Sequence, residues 1–508
     1  MNRILPILFG FIFTFQSLAQ PLRYTETVFK KADTIKNVEY AIADWLNNLV
    51  PLLDEYNVHN GESKTENRPL YMDIFTPHGD TVTKRPVILF GHSGGFLIGS
   101  RHNDDMIAFC DSFARRGYVT ATIDYRLGMG TRLTLFPLKI YLTEENGARA
   151  VYRAVQDSRA AVRFLKHNAD TYGIDTTKIY MAGSSAGGFV ALHNLYMNEP
   201  GEIPDLALTE PSLGGFDTIG IQGYGAQFDA VVSMWGALQS TELIQDEQKP
   251  VLLIHGEDDD VVYFKKGTPL ESSIPDYNEI SFNVPDTYGS YCIDTALNNK
   301  NVNHETYFVP GKKHEFYGVG TGDWRENGPN EYWDTIHWKI SDFLFDIFKP
   351  EADFNYETQG VSLTCFDITE GSRISEWDFG DGTKANGQEV SHTYAEAGYY
   401  KVKLTTCNEN IACDTLTKTI QVGAVSVENS YLSDQLKIYP NPARSTLNIS
   451  GINYEHDVDI IDLTGRTILK QTNIKSERID ISTLIPGIYI LKVGHNNETA
   501  VKKFQVIK

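Results

Sequence analysis

From Lys178 to Val190 the chain reads Lys178-Ile-Tyr-Met-Ala-Gly-Ser-Ser-Ala-Gly-Gly-Phe-Val190, an apolar run broken by small residues and continued by a helix-compatible stretch. The pattern predicts a strand, a sharp turn and a helix, with Ser185 standing exposed above a sheet. A serine in such a turn needs small neighbours two residues before and after it, because the strained backbone brings those positions against adjacent strands. Gly183 and Gly187 meet that need.

The flanking sequence repeats one texture. Pro69–Pro77 alternates and ends on proline, and Arg85–Phe90 is a continuous apolar run of the kind buried on both faces. Met106–Arg116 has helical spacing, Tyr118–Asp124 is another buried strand, and Ala148–His167 is a long amphipathic helix whose polar face carries arginines. Further strands are expected at Phe228–Trp235, Lys249–Ile254 and Glu305–Val309, with helices near Tyr291–Leu297 and over Trp333–Phe348. Strands alternating with helices predict an α/β fold with a mostly parallel sheet and a site at the strands' carboxyl ends.

The chemistry-bearing residues fall at those ends. Gly91-His92-Ser93-Gly94-Gly95-Phe96 follows the second of these strands, and glycines there free backbone N–H groups to face a developing oxyanion. Glu257, Asp258, Asp259 and Asp260 follow the Lys249–Ile254 strand, and His314 follows the Glu305–Val309 strand. A carboxylate run by itself is a solvated loop or, less often, a calcium site. His304 precedes its strand and reads as a surface histidine. The order serine, acid, histidine is the one this architecture imposes on an acyl-transfer triad.

At this point the chain resembles the α/β-hydrolase superfamily, in particular the esterases of the hormone-sensitive-lipase and type-B carboxylesterase kind, over about Tyr71–Phe348. His92-Ser93-Gly94-Gly95-Phe96 stands where those families carry His-Gly-Gly-Gly-Phe, with a serine in place of the first glycine. Asp124-Tyr125-Arg126-Leu127 matches their Asp-Tyr-Arg-Leu, although Gly128 stands where a lipase-like member often has Ala-Pro. His255, Gly256, Asp259 and Val262 fill the pattern His-Gly-x-x-Asp-x-x-Val, which selects Asp259 as the acid and leaves Asp258 as the runner-up. The resemblance implies a catalytic set of Ser185, Asp259 and His314, an oxyanion hole of the Gly94, Gly95 and Ala186 amides, and no cofactor or metal. Lys265–Tyr288, rich in proline and aromatics, is longer than an ordinary connection and is either a cover that shapes the acyl or alcohol pocket or a surface excursion.

At 508 residues the chain is long enough for two to four domains. Met1–Ala19 carries Arg3, an apolar run and then small residues, the order of a secretory signal peptide cleaved before Gln20; its apolar run is short for a membrane anchor. In an exported protein Cys407 and Cys413 can close a hairpin disulfide, while an odd total of five cysteines leaves at least one thiol free.

The catalytic domain is expected over 20–349. Residues 351–423, with Trp377-Asp-Phe-Gly-Asp-Gly382 and Ser391-His-Thr-Tyr394, resemble a polycystic-kidney-disease (PKD) repeat, a small all-β sandwich in which Trp377 and Tyr394 anchor the core. A linker follows over 424–433. Residues 434–508, with Ile438-Tyr-Pro-Asn-Pro442 and Pro486-Gly-Ile-Tyr-Ile-Leu-Lys-Val493, alternate as a second small sandwich and closely resemble the C-terminal sorting domain of the type IX secretion system. That resemblance implies export across the outer membrane, with cell-surface attachment as one outcome.

The expected function is a secreted serine carboxylic-ester hydrolase acting on a small or polymer-attached ester. Its expected partners are the secretion machinery and, through the PKD-like segment, a polysaccharide. The net charge of −21 argues against nucleic acid as a partner. Two other readings stay open: a polymer- or carbohydrate-binding surface protein on an inactive hydrolase fold, and a serine peptidase of the same fold.

Overall fold

The computed structural model describes residues 23–46, 65–128, 132–135, 138–245, 249–271, 280–318, 322, 324, 328–423, 435–463, 465–495 and 498–507. The expected signal peptide and linker lie outside them. The eight strands of the main sheet are β1 (Ala32–Leu46), β2 (Thr65–Pro77), β3 (Arg85–Gly91), β4 (Val119–Ile123), β5 (Ile174–Ser184), β6 (Ala230–Met234), β7 (Val251–Gly256) and β8 (His304–Val309). They lie in the order β1-β2-β4-β3-β5-β6-β7-β8. β2 pairs antiparallel with β1 and β4, and the remaining pairs are parallel.

The apolar runs explain why these segments are central strands. β3, β6 and β7 are buried at every position, and successive side chains feed opposite faces. Leu89 and Met181 enter one core with α2 (Glu144–His167), α3 (Ala186–Tyr196) and α4 (Ser290–Asn299). Phe90 and Ala182 enter the other with α1 (Asp104–Ala114) and α5 (Tyr332–Phe348).

Two segments depart from the sequence-based expectation. β1 occupies a stretch that reads as merely polar; it is the sheet's edge, and most of its first half faces solvent. Helix α2 begins at Glu144, ahead of Ala148, because the Thr143 side chain accepts from Asn146 N in a capping box. Its arginines are buried. Arg149 Nη1 donates to the carbonyls of Leu206 (3.1 Å) and Thr209 (3.2 Å), Arg163 Nε to that of Ile221 (2.6 Å), and Arg159 pairs with Asp217 (3.0 Å). The 206–221 excursion therefore covers the helix's polar side and satisfies it with backbone oxygens.

Part of Lys265–Tyr288 forms small sheets beside the main one. Thr287–Gly289 lies between Lys266–Gly267 and Ala237–Leu238 and pairs with both in one, and Ile280–Asn283 joins Leu138–Thr143 and Arg132–Leu135 in another.

Compactness divides the chain in two, and the line passes through the 352–422 segment: residues 364–390 and 401–418 go with the hydrolase-like unit, and 357–363, 391–400 and 419–423 with the C-terminal one. Trp377 and Tyr394 are buried as expected for core anchors, and the Trp377 indole meets Phe354 edge-on at 5.1 Å. Within the first unit, Cys407 and Cys413 form a disulfide across a hairpin tip. The tip residue Asn410 is fully buried: its Nδ2 donates to Asp175 Oδ2 (2.9 Å) and Lys84 O (3.1 Å), and its carbonyl accepts from the Tyr24 hydroxyl (2.6 Å). Asn410→Ala strips those two buried acceptors of a donor and is expected to lower unfolding stability by about 1–3 kcal/mol, read in a denaturant titration. In the second unit, a three-stranded and a four-stranded sheet share one core of Leu447, Ile460, Leu491, Val493 and Phe504, which makes 435–507 a small sandwich.

Candidate active site

Ser185 sits between β5 and α3 with φ 52° and ψ −112°, a left-handed backbone that the surrounding strands enforce. The flanking glycines are obligatory. A Cβ on Gly183 would lie 2.1 Å from the Gly187 backbone, and one on Gly187 would lie 2.1 Å from Gly91 O. The neighbouring hydroxyl is engaged on the other side: Ser184 Oγ accepts from Trp235 Nε1 at 3.0 Å. Ser185 Oγ instead lies 2.8 Å from His314 Nε2.

His314 follows β8, and its Nδ1 lies 2.7 Å from Asp259 Oδ2, just past β7. Nδ1 faces a carboxylate and therefore carries the hydrogen, which leaves Nε2 to accept from the serine. Asp259 is buried, with Oδ1 accepting the amides of Val261 and Val262 at 2.9 Å each. Burial pushes its carboxyl up, but hydrogen bonds from His255 and His314 outweigh that and hold it well below the usual carboxylate range. Burial pushes the His314 imidazole down, yet the Asp259 bond and the charges of Asp259, Glu315 and Asp260 hold it above its ordinary value.

The other carboxylates of the run do different things. Glu257 and Asp258 are exposed, and Asp260 pairs with Lys313 at 2.5 Å. Among the described residues no cluster of three or more His, Cys, Asp or Glu side chains is placed to hold a metal ion.

The loop after β3 supplies donors. Gly94 has φ 114°, and a Cβ there would lie 2.1 Å from Ile98 O, so only glycine fits. Ser185 N–H is taken by Met234 O and Gly187 N–H by His92 O. Among the described residues no acceptor takes the N–H groups of Gly94, Gly95 and Ala186. His92 stacks on Tyr125 at 4.2 Å, and the Tyr125 hydroxyl bonds His92 O at 2.8 Å. Burial pushes His92 down to about 4, so the ring is neutral at pH 7. The Asp124-Tyr125-Arg126 motif thus works as scaffold: Tyr125 braces the glycine loop, and Arg126 is locked to buried Asp157 at 2.8 Å.

Residues 72–206 match the family model BD-FAE, an α/β-hydrolase esterase domain. Over residues 72–206 the chain is therefore similar to esterases of the α/β-hydrolase kind. Residues 358–423 match the PKD domain, and residues 437–508 match the secretion system C-terminal sorting domain, which marks a secreted or cell-surface-attached protein. Gut esterase 1 of Caenorhabditis briggsae is 29% identical over 153 residues, 29% of this chain and 24% of that protein. Neuroligin-like protein glit-1 of Caenorhabditis elegans is 33% identical over 120 residues, 23% of this chain and 14% of that protein. The chain therefore spans a quarter or less of the length of these relatives. A propionate-bound thermophilic esterase from Thermogutta terrifontis aligns at 21% identity and TM-score 0.39, covering 56% of this chain and 91% of that one.

Two cavities meet at Ser185. One, about 90 Å³, is apolar and lined by Phe96, Val151, Phe189, Leu270, Val284 and Pro285. The other, about 510 Å³, reaches Leu97, Ile98, Asp260, Lys313, His314 and Glu315. Leu270, from the long Lys265–Tyr288 region, borders both, so this region does shape the surroundings of the serine. His255, whose Nε2 lies 3.1 Å from Asp259 Oδ2, and Ser290 behind it were given no role of their own by sequence reasoning. The first carried a signal in the His-Gly-x-x-Asp pattern; the second carried none.

Proposed function

We propose that the protein is a secreted serine carboxylic-ester hydrolase that works through a covalent acyl-enzyme at Ser185. The single observation carrying this reading is the pair of bonds that His314 makes, 2.8 Å to Ser185 Oγ and 2.7 Å to Asp259 Oδ2. His314 Nε2 takes the hydroxyl proton as Oγ forms its bond to the ester carbonyl carbon; Asp259 holds the tautomer and stabilises the imidazolium. The amides of Gly94, Gly95 and Ala186 receive the oxyanion. His314 then gives the proton to the alcohol oxygen as the carbon–oxygen bond breaks, and water repeats the sequence to free the acid. The proposed boundaries are a signal peptide over 1–19, the catalytic domain over 20–349, the PKD-like domain over 351–423, a linker over 424–433 and the sorting domain over 434–508.

The two cavities divide the substrate between them. The leaving alcohol must receive its proton from His314, so it occupies the larger cavity on that side, and the acyl group enters the smaller apolar one. The smaller cavity is closed in by the Phe96, Val151, Phe189 and Leu270 side chains, so it favours a short acyl chain over a long one. Turnover of p-nitrophenyl esters is therefore expected to peak between acetyl and butyryl and to fall about 10-fold or more by octanoyl. Val151→Ala should move the peak to longer chains. If wild type hydrolyses no ester of the series, the esterase reading fails; if it hydrolyses all chain lengths equally, only the pocket assignment fails.

A further inference from the structure

We propose that His255 and Ser290 are positioning residues of this site, Ser290 orienting His255 and His255 sharing the Asp259 carboxylate with His314. The proposal rests on the esterase reading above and extends it behind the triad acid. His255 lies near the end of β7 and is fully buried, with the Phe264 ring against it at 5.6 Å. Its Nε2 is 2.9 Å from Val262 O and 3.1 Å from Asp259 Oδ2. Both neighbours are acceptors only, so Nε2 carries the hydrogen. In the neutral ring Nδ1 is then an acceptor, and the group facing it, at 2.8 Å, is the hydroxyl of Ser290, a fully buried residue that opens α4. A hydroxyl there donates to Nδ1 and fixes the His255 ring in the tautomer whose Nε2–H bonds Val262 O and stands 3.1 Å from Asp259 Oδ2.

The carboxylate is thereby shared. Oδ1 takes the Val261 and Val262 amides, and Oδ2 takes one imidazole from each side. Because two backbone amides hold Oδ1, the carboxylate keeps its orientation when His255 is lost. What changes is charge. Donation from His255 draws negative charge on Oδ2 away from His314, so removing it strengthens the pull of Asp259 on the His314 proton. The charged groups facing His314 are Asp259, Glu315 and Asp260, the last paired with Lys313, and the Trp235 ring lies 6.3 Å away. His255 therefore tempers the basicity of the general base.

The test is the pH dependence of kcat/KM on p-nitrophenyl acetate, measured from pH 5 to 10 on the full chain. Its acidic limb reports His314 in the free enzyme, since an imidazolium cannot accept the serine proton. In His255→Leu the limb is expected to move up by about one pH unit, which is about a 10-fold loss at pH 6 and little change at pH 9. His255→Gln, whose amide N–H replaces the Nε2 donor, should return the limb to its wild-type position. Ser290→Ala should shift it in the same upward direction by less. Equal losses at every pH in His255→Leu and His255→Gln, with the limb unmoved, would reduce His255 to packing and overturn the proposal. Should His255→Leu not fold, an unmoved limb in Ser290→Ala overturns it alone. Failure of the underlying reading looks different: wild type would then hydrolyse no ester, or Ser185→Ala would hydrolyse as wild type does.

Discussion

Ser185→Ala is expected to lower kcat on p-nitrophenyl acetate by about 10⁵- to 10⁶-fold while leaving the fold and KM nearly unchanged. The size of the effect follows from what is lost. The serine Oγ is the atom that forms the acyl bond, and the adjacent Ser184 cannot replace it, since its Oγ is bonded to Trp235 Nε1 on the opposite side of the turn. Stability should barely move, because the alanine keeps the same backbone at φ 52° and gives up only the single bond to His314. Residual hydrolysis above the uncatalysed rate would come from the glycine-loop amides and substrate positioning. Steady-state kinetics combined with labelling by an organophosphate reads both parts: wild type should be covalently modified and inactivated, and the variant should not. A Ser185→Ala protein as active as wild type rejects the nucleophile.

Asp259→Asn is expected to cost about 10³- to 10⁴-fold in kcat, whereas Asp258→Asn should change it less than about 2-fold. The two residues are adjacent in sequence and opposite in environment. Asp259 is buried and receives His314 at 2.7 Å, while the Asp258 side chain is exposed. An asparagine at 259 can turn its NH₂ toward His314 Nδ1, which places the imidazole proton on Nε2 and removes the acceptor for the serine. The pH profile gives an independent sign. In wild type the Asp259 bond and its charge help hold His314 above its ordinary value, so the acidic limb of kcat/KM should lie above about pH 6.5. Without that anion, burial dominates and the limb should move to lower pH. A limb that stays in place in Asp259→Asn, or a large loss in Asp258→Asn, reassigns the acid.

The neuroligin-like relative shows why these tests need kinetics rather than fold alone: local likenesses over 153 and 120 residues join this chain to an esterase and to a protein named for something else. The feature that argues for catalysis is side-chain geometry. A scaffold kept only for binding has no need of a serine, an imidazole and a carboxylate in consecutive hydrogen-bond contact.

Much of the site was legible because its requirements are local. Gly183 and Gly187 announce a turn in which any Cβ would strike backbone at 2.1 Å, and that steric need is written in adjacent residues. The order of Ser185, the carboxylate run and His314 followed from which residue comes just after each apolar strand. The edge strand Ala32–Leu46 was missed because a strand with one wet face and no partner beyond it can carry Asp33, Lys36 and Glu39 without penalty, so the periodic apolar signal fades. The arginines of Glu144–His167 mark a polar helix side, but the carbonyls that bury them come from residues more than fifty positions later.

By itself the sequence determined the alternation of strands and helices, the turn that lifts Ser185, the glycine loop and the separate β-rich texture after Lys349. These depend on backbone sterics and on the period of apolar residues, which are properties of a few neighbours at a time. A family pattern pointed to Asp259, but only the tertiary structure decided that it is the one of four adjacent carboxylates buried against an imidazole, that a second imidazole stands on its other side, and that Ser290 closes the chain of hydrogen bonds. Those facts are meetings between residues as far apart as Ser185 and His314, and such a meeting is set by how the strands lie side by side in the sheet, which no local pattern encodes.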